Sequence, residues 1–139
     1  MVNTNRVLTQ KDKWLIDSKR LAAKIHHRIP KDFLYDSQNK ELFYDEFSDV
    51  YYWSTKTALI AAELAINREL SFRGEVFVST FYDIIGCDAP EIYRRCGWNA
   101  ESQDEQWIDV DHIFIDGAEV EEPRSYHMIV FMNRPEQLR

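Results

Sequence analysis

The sequence predicts one α+β domain. Three observations carry that expectation: two segments place apolar residues at helical spacing, the C-terminal part contains β-rich runs separated by turn signals, and no linker, repeat or low-complexity tract divides the chain. The 139 residues are 45% hydrophobic with only four Gly and four Pro, which supplies a core and argues against wholesale disorder.

The elements follow in order. Thr9 caps a helix, with Asp12 three residues on in a capping-box pattern, and Pro30 ends it. At about 100° per residue, Trp14, Ser18, Leu21, Ala22, Ile25 and Ile29 gather on one side. Lys13, Arg20, Lys24 and His27 gather opposite, with Asp17 among them. Residues 1–31 are therefore read as a basic amphipathic helix resting on a core, its own or a partner's, and 32–139 as a mixed body.

In that body, two aromatic-rich runs flank Ser37-Gln38-Asn39-Lys40 and predict a hairpin there. After a polar link, Ser54 precedes a helix that is apolar on nearly every side from Ala58 to Ile66, so it is expected to be central and buried. Gly74 breaks it, and "EVFVS" gives a very short strand. Ser79 is expected to cap a two-turn helix stopped by Gly86, and Asp88–Cys96 a further short helix entered through Pro90 and closed by Gly97. "WIDVDHIFI" and "RSYHMIVFM" then form a hairpin with a long acidic tip.

Several classes of function find no signal. No apolar run approaches the roughly 18 residues of a membrane span, and "MVNTNRVLTQKDKW" lacks the layout of a secretory signal. Free cytosolic thiols are the expected state of Cys87 and Cys96, since two cysteines make neither a disulfide framework nor a zinc ribbon. There is no GxGxxG, Walker, GxSxG or HExxH pattern. No cofactor is expected.

Charge is unevenly distributed. The total is −7, yet Met1–Lys31 carries +6, whereas Gly97–Pro123 carries nine acids and no Lys or Arg. Within that stretch Glu101, Asp104, Glu105, Asp109, Asp111, Glu119, Glu121 and Glu122 are the candidate partner-binding residues, with Trp98 and Trp107 as apolar anchors or core. Carboxylates in such a block pair with Arg as phosphates do, and long-range attraction speeds encounter with a basic surface. The same negative field opposes direct binding of nucleic acid, even though the N-terminal helix is basic.

A metal reading needs more than the strand offers. Asp109 and Asp111 point to one face about 7 Å apart, where they could share a divalent cation, while His112 points to the other among Ile108, Val110 and Phe114. If Ile115 pairs with Arg124, Asp109 faces Val130 and Asp111 faces Met128, neither of them a ligand. A one-residue slip would bring His127 opposite Asp111. His26 and His27, adjacent on a helix, do not converge on one ion.

The order "INREL", "RG", "STFYDIIG", "CGW", "WIDVDH" resembles an uncharacterised domain family of bacteriophages and prophages of Gram-positive bacteria, over roughly residues 44–130. The matching positions are Asn67, Gly74, Phe81, Tyr82, Gly86, Gly97, Trp98, Trp107, Ile108 and Asp109. Each has a structural reading: Gly86 and Gly97 end helices, and Phe81, Trp98 and Trp107 fill a core. The resemblance implies a mobile-element origin and supplies no reaction.

The expectation is a non-enzymatic phage- or prophage-type binding protein, in its sharpest form an anti-CRISPR-like inhibitor whose acidic surface occupies the nucleic-acid channel of a host defence effector. The alternatives are a phage structural or assembly accessory protein, and a divalent-metal-dependent hydrolase using Asp109 and Asp111.

Overall fold

A computed structural model describes residues 29–37, 39–101 and 107–138. The expected N-terminal helix lies outside the described residues apart from Ile29 and Pro30, as do Asp104 and Glu105.

Among the described residues, two sheets pack with three α-helices. β1 (Glu41–Asp45), β2 (Val50–Ser54), β5 (Val110–Ile115) and β6 (Tyr126–Phe131) form a four-stranded sheet in the order β2-β1-β6-β5. Its central pair, β1 and β6, is parallel, with Phe43 opposite His127, and the flanking pairs are antiparallel. β3 (Glu75–Phe77), β4 (Cys96–Asn99) and β7 (Glu136–Gln137) make a small antiparallel sheet. The helices are α1 (Lys56–Arg73), α2 (Val78–Ile85) and the single-turn α3 (Glu91–Arg94). This is the α+β class that the sequence predicts.

The first hairpin is β1–β2, one element later than expected. Lys31–Phe33 is a 3-10 turn, and the supposed polar link contains β2, whose Tyr51-Tyr52-Trp53 run suits a strand. Its turn is built by Asp45, whose Oδ2 accepts from Ser48 N at 2.9 Å and Ser48 Oγ at 2.7 Å.

Thr55 caps α1, its Oγ1 accepting from Ala58 N at 3.0 Å, an interaction worth about 1 kcal/mol. Ser54 closes β2 instead, and its hydroxyl donates to Ile85 O at 2.6 Å. Only one stripe of α1 is buried, made by Leu59, Ala62, Ile66, Asn67 and Leu70. Ile60 (61% exposed), Leu64 (50%) and Phe72 (82%) face outward. The helix lies on the sheet without being enclosed, which corrects the expectation of burial on nearly every side.

Two more boundaries differ. α2 begins at Val78, before Ser79, although it ends at Gly86 as expected; there φ is +86° and the Gly86 N–H donates to Tyr82 O at 2.9 Å. Gly97 ends no helix: it lies in β4 between Phe77 of β3 and Glu136 of β7. A Cβ there would stand 2.1 Å from Val76 O, so the close approach of β3 is what requires glycine.

The main core lies between the helices and one sheet face, where Phe43, Tyr52, Ile129 and Phe131 meet Leu59, Ile66, Phe81, Tyr82 and Trp98. The other sheet face carries Leu42, Tyr44, Tyr51, Ile113, Ile115, Tyr126, Met128 and Val130, joined by Ile29 and Phe33.

Candidate functional site

The register of β5 and β6 decides how the acids are displayed. Ile115 pairs with Tyr126 and Asp111 with Val130, two residues from the expected pairing of Ile115 with Arg124. A shift of two preserves faces, so half-buried Asp111 sits beside Ile113 on the second sheet face and His127 does not join it. His112 occupies the helix-side face and forms a ring pair with His127 at 5.5 Å. Burial, then His127 and Lys56, hold the His112 imidazole below its ordinary pKa. His127 Nε2 lies 3.0 Å from Glu41 Oε1, a contact made by a strand end that sequence reasoning did not single out. Among the described residues no three His, Cys, Asp or Glu side chains converge as metal ligands.

β5 also separates the acidic block into two ends, about 20 Å apart for a six-residue strand. At the tip, Glu119 and Glu121 are exposed, but Glu122 is partly drawn in, its Oε2 accepting from Ile29 N at 3.1 Å. Arg124 beside it donates to Phe33 O at 3.1 Å and to Asp36 at 2.7 Å while lying 4.9 Å over the Trp53 ring. The tip is thus tied to the 29–36 segment.

At the other end, Glu101 is exposed and Asp109 half-buried, with Trp107 between them and 49% exposed. Trp98 is core at 3%, its indole N–H donating to Asn133 O at 2.6 Å. Trp107 is therefore not a core residue as expected, and of the two tryptophans it is the one available as an anchor.

The backbone after Trp107 is held by side chains. Asn67 Oδ1 accepts from Ile108 N at 2.6 Å and its Nδ2 donates to Ile108 O at 3.0 Å. Asn133 Oδ1 accepts from Asp109 N at 2.8 Å, and Glu63 Oε2 from Val110 N at 2.8 Å. Three successive N–H groups thus end on residues from α1 and the β6–β7 link. Asn67 alone had a signal in the sequence, as an amide inside an apolar helix; Glu63 and Asn133 had none.

Away from this edge, Cys87 is a free thiol buried in the main core, and burial followed by the neighbouring Asp45 carboxylate pushes its pKa far up. Cys96 is also free. A groove of about 300 Å³ lies between the α1 C-terminus and α2, lined by Glu69, Arg73, Glu75, Val76, Phe77 and Thr80, with Arg73 already paired to Glu69 at 3.0 Å. No helix among the described residues is long and apolar enough to cross a membrane.

Helices laid on a mixed sheet, with an acidic and aromatic edge held from beneath, define a small α+β domain. The chain belongs to a family of unknown function, DUF6353, whose model matches residues 4–138, further in both directions than the resemblance over 44–130. Neither a curated protein nor a solved structure matches it.

Proposed function

We propose that the chain is a non-enzymatic binding protein of bacteriophage or prophage type that docks on a basic protein surface through its Glu101–Trp107–Asp109 edge. In its sharpest form it is an anti-CRISPR-like inhibitor, placing carboxylates where a host effector holds nucleic acid. The observation that carries the reading is Trp107, half-exposed between acids on a backbone clamped by Asn67, Asn133 and Glu63. A pre-ordered aromatic anchor loses little entropy on binding, and the surrounding charge steers encounter. Asp104 and Glu105 add charge to the same stretch of sequence. The tip acids Glu119 and Glu121 stand apart from this edge and have a secondary place.

The test is capture of a partner from the bacterial host extract, followed by affinity measurement with the purified partner. Trp107→Ala is expected to weaken binding at least tenfold with the fold intact. Lysines at Glu101, Asp104 and Glu105 together should weaken it further and flatten its salt dependence. Affinity that ignores both salt and these variants rejects the edge as the interface.

A second reading, a phage structural or assembly accessory protein, is favoured by the outward Ile60, Leu64 and Phe72 of α1. A stable homo-oligomer in sizing chromatography, dissolved by Leu64→Glu, would support it over the inhibitor. The hydrolase alternative rests on Asp109 and Asp111 alone, and a Mg²⁺ or Mn²⁺ titration that leaves the melting temperature unmoved disposes of it.

A further inference from the structure

β5 is an edge strand whose outer side is met by α1 at one end and exposed at the other. Among the described residues, β6 is its neighbour in the four-stranded sheet. Antiparallel pairing directs the N–H and C=O of alternate residues toward the neighbour and those of the residues between away from it. The phase is fixed where the strand begins. Asp109 O accepts from Met132 N at 2.9 Å, on the β6 side, whereas Val110 N turns the other way to Glu63 Oε2 at 2.8 Å. Asp111, Ile113 and Ile115 therefore bond to β6, and His112 and Phe114 present both backbone groups outward. At Ile108 and Val110, α1 meets this side with Asn67 and Glu63. At His112 and Phe114 no described residue does, and both are exposed, Phe114 at 55%.

We propose that this open length of β5 receives an extended, Lys/Arg-bearing segment of the protein partner, which joins the sheet as an added strand. The inference rests on the docking reading above and gives it a mode. The outward N–H and C=O groups of His112 and Phe114 supply main-chain hydrogen bonds that make no demand on sequence. Charge makes the selection. Glu63 caps Val110 at one end, Asp116 follows Ile115 at the other, and the fields of Asp111 and Glu41 reach His112, opposed by Lys56. This acidic margin favours Arg or Lys beside Asp111, and it disfavours a second copy of the chain, which would bring the same acids together. On the helix-side face Phe114, its ring 5.6 Å from His127, offers an apolar surface to the alternate residues of the added strand. Trp107 lies about 17 Å from His112 along the chain, within reach of the same partner.

The experiment titrates the full chain with a synthetic peptide of about eight residues, alternating Val and Arg, followed by amide NMR and calorimetry. In the free chain the His112 and Phe114 amides should exchange fast beside slow Asp111 and Ile113 amides. The peptide should slow the fast pair about tenfold or more. Methylating the peptide nitrogens that face β5 should weaken binding about tenfold, whereas methylating the alternate nitrogens should not. Phe114→Pro removes the outward N–H, a change that an edge strand accepts, and should match that loss, with a smaller effect from Phe114→Ala. His112 and Phe114 amides already slow in the free chain, protection that grows with protein concentration, or no slowing by the peptide would each overturn the proposal. So would equal binding of the two methylated peptides, or of a Val-Glu peptide. The methylated peptides act on the unaltered chain, so the test stands even if the proline variant fails to fold. These outcomes judge the added strand alone, since the Trp107→Ala affinity measurement judges the docking edge without it.

Discussion

Asn67 on α1 holds both backbone polar groups of Ile108, accepting its N–H at 2.6 Å and donating to its carbonyl at 3.0 Å. One buried amide thus replaces the strand neighbour that an extended residue would otherwise pair with, and it anchors the chain where Trp107 emerges.

Asn67→Ala leaves a buried N–H and a buried carbonyl without these partners. The expected cost is about 2–4 kcal/mol, read from urea denaturation. Asn67→Asp keeps the acceptor but loses the donor and adds charge, so it should not restore wild-type stability. A cost below ~1 kcal/mol for both variants would show that water takes over the clamp.

The two tryptophans should separate cleanly. Trp98→Ala removes a core indole and its bond to Asn133, for an expected loss of about 3–5 kcal/mol. Trp107→Ala should cost less than ~1 kcal/mol and should remove an emission component that acrylamide, a neutral quencher, reaches in the folded protein. Equal destabilisation by both variants would place Trp107 inside the core.

Asp45 is fully buried, and its Oδ2 takes three hydrogen bonds, from Ser48 N, Ser48 Oγ and Tyr82 OH at 2.6 Å. Burial outweighs them and raises the carboxyl to about 6 from 3.8. The folded state therefore binds the proton more tightly than the unfolded chain. That stabilisation is complete below pH 3.8 and is lost as pH rises through 6, by an amount of order 3 kcal/mol. Urea midpoints of wild type and Asp45→Asn, compared at pH 5 and 7.5, should draw apart in favour of the variant at the higher pH. A difference that does not change with pH would mean that Asp45 titrates normally.

Gly97→Ala should be among the most damaging single-methyl substitutions, because Val76 O and the Phe77 Cα, both backbone atoms, would lie 2.1 and 2.9 Å from the new carbon. Gly86→Ala has room, with its nearest neighbour at 3.8 Å, and meets only the cost of a positive φ, about 1 kcal/mol. Thermal unfolding should show a far larger drop for position 97. Similar drops at both positions would refute the close approach.

What the sequence made legible was local. The glycine that ends α2, the apolar run between Ser54 and Gly74 that forms α1 and the β-rich runs of β5 and β6 all correspond to elements. What it hid was decided by distant partners. Turn chemistry exists at both 37–40 and 46–49, and the strand between them is chosen by its parallel pairing with β6. A glycine after a short helix resembles a cap, and only the approach of β3 shows that Gly97 is in a strand. An all-round apolar helix does not say which of its sides will find neighbours, so Ile60 and Phe72 could not be told from Leu59 and Ile66. The acidic run was legible as composition, but its division between two ends of β5 follows from tertiary placement alone.

The parallel pairing of β1 with β6 has a consequence for how the molecule is made. β1 and β2 leave the ribosome early, but the edge of β1 that meets Phe43's partner, His127, stays open until nearly all of the described chain has emerged. Synthesis is thus accompanied by an exposed hairpin edge, a hazard for intermolecular strand pairing. A translation product interrupted before Tyr126 would lack the strand that joins β5 to the β1–β2 hairpin, and it should be cleared by cellular proteases as an unfolded chain.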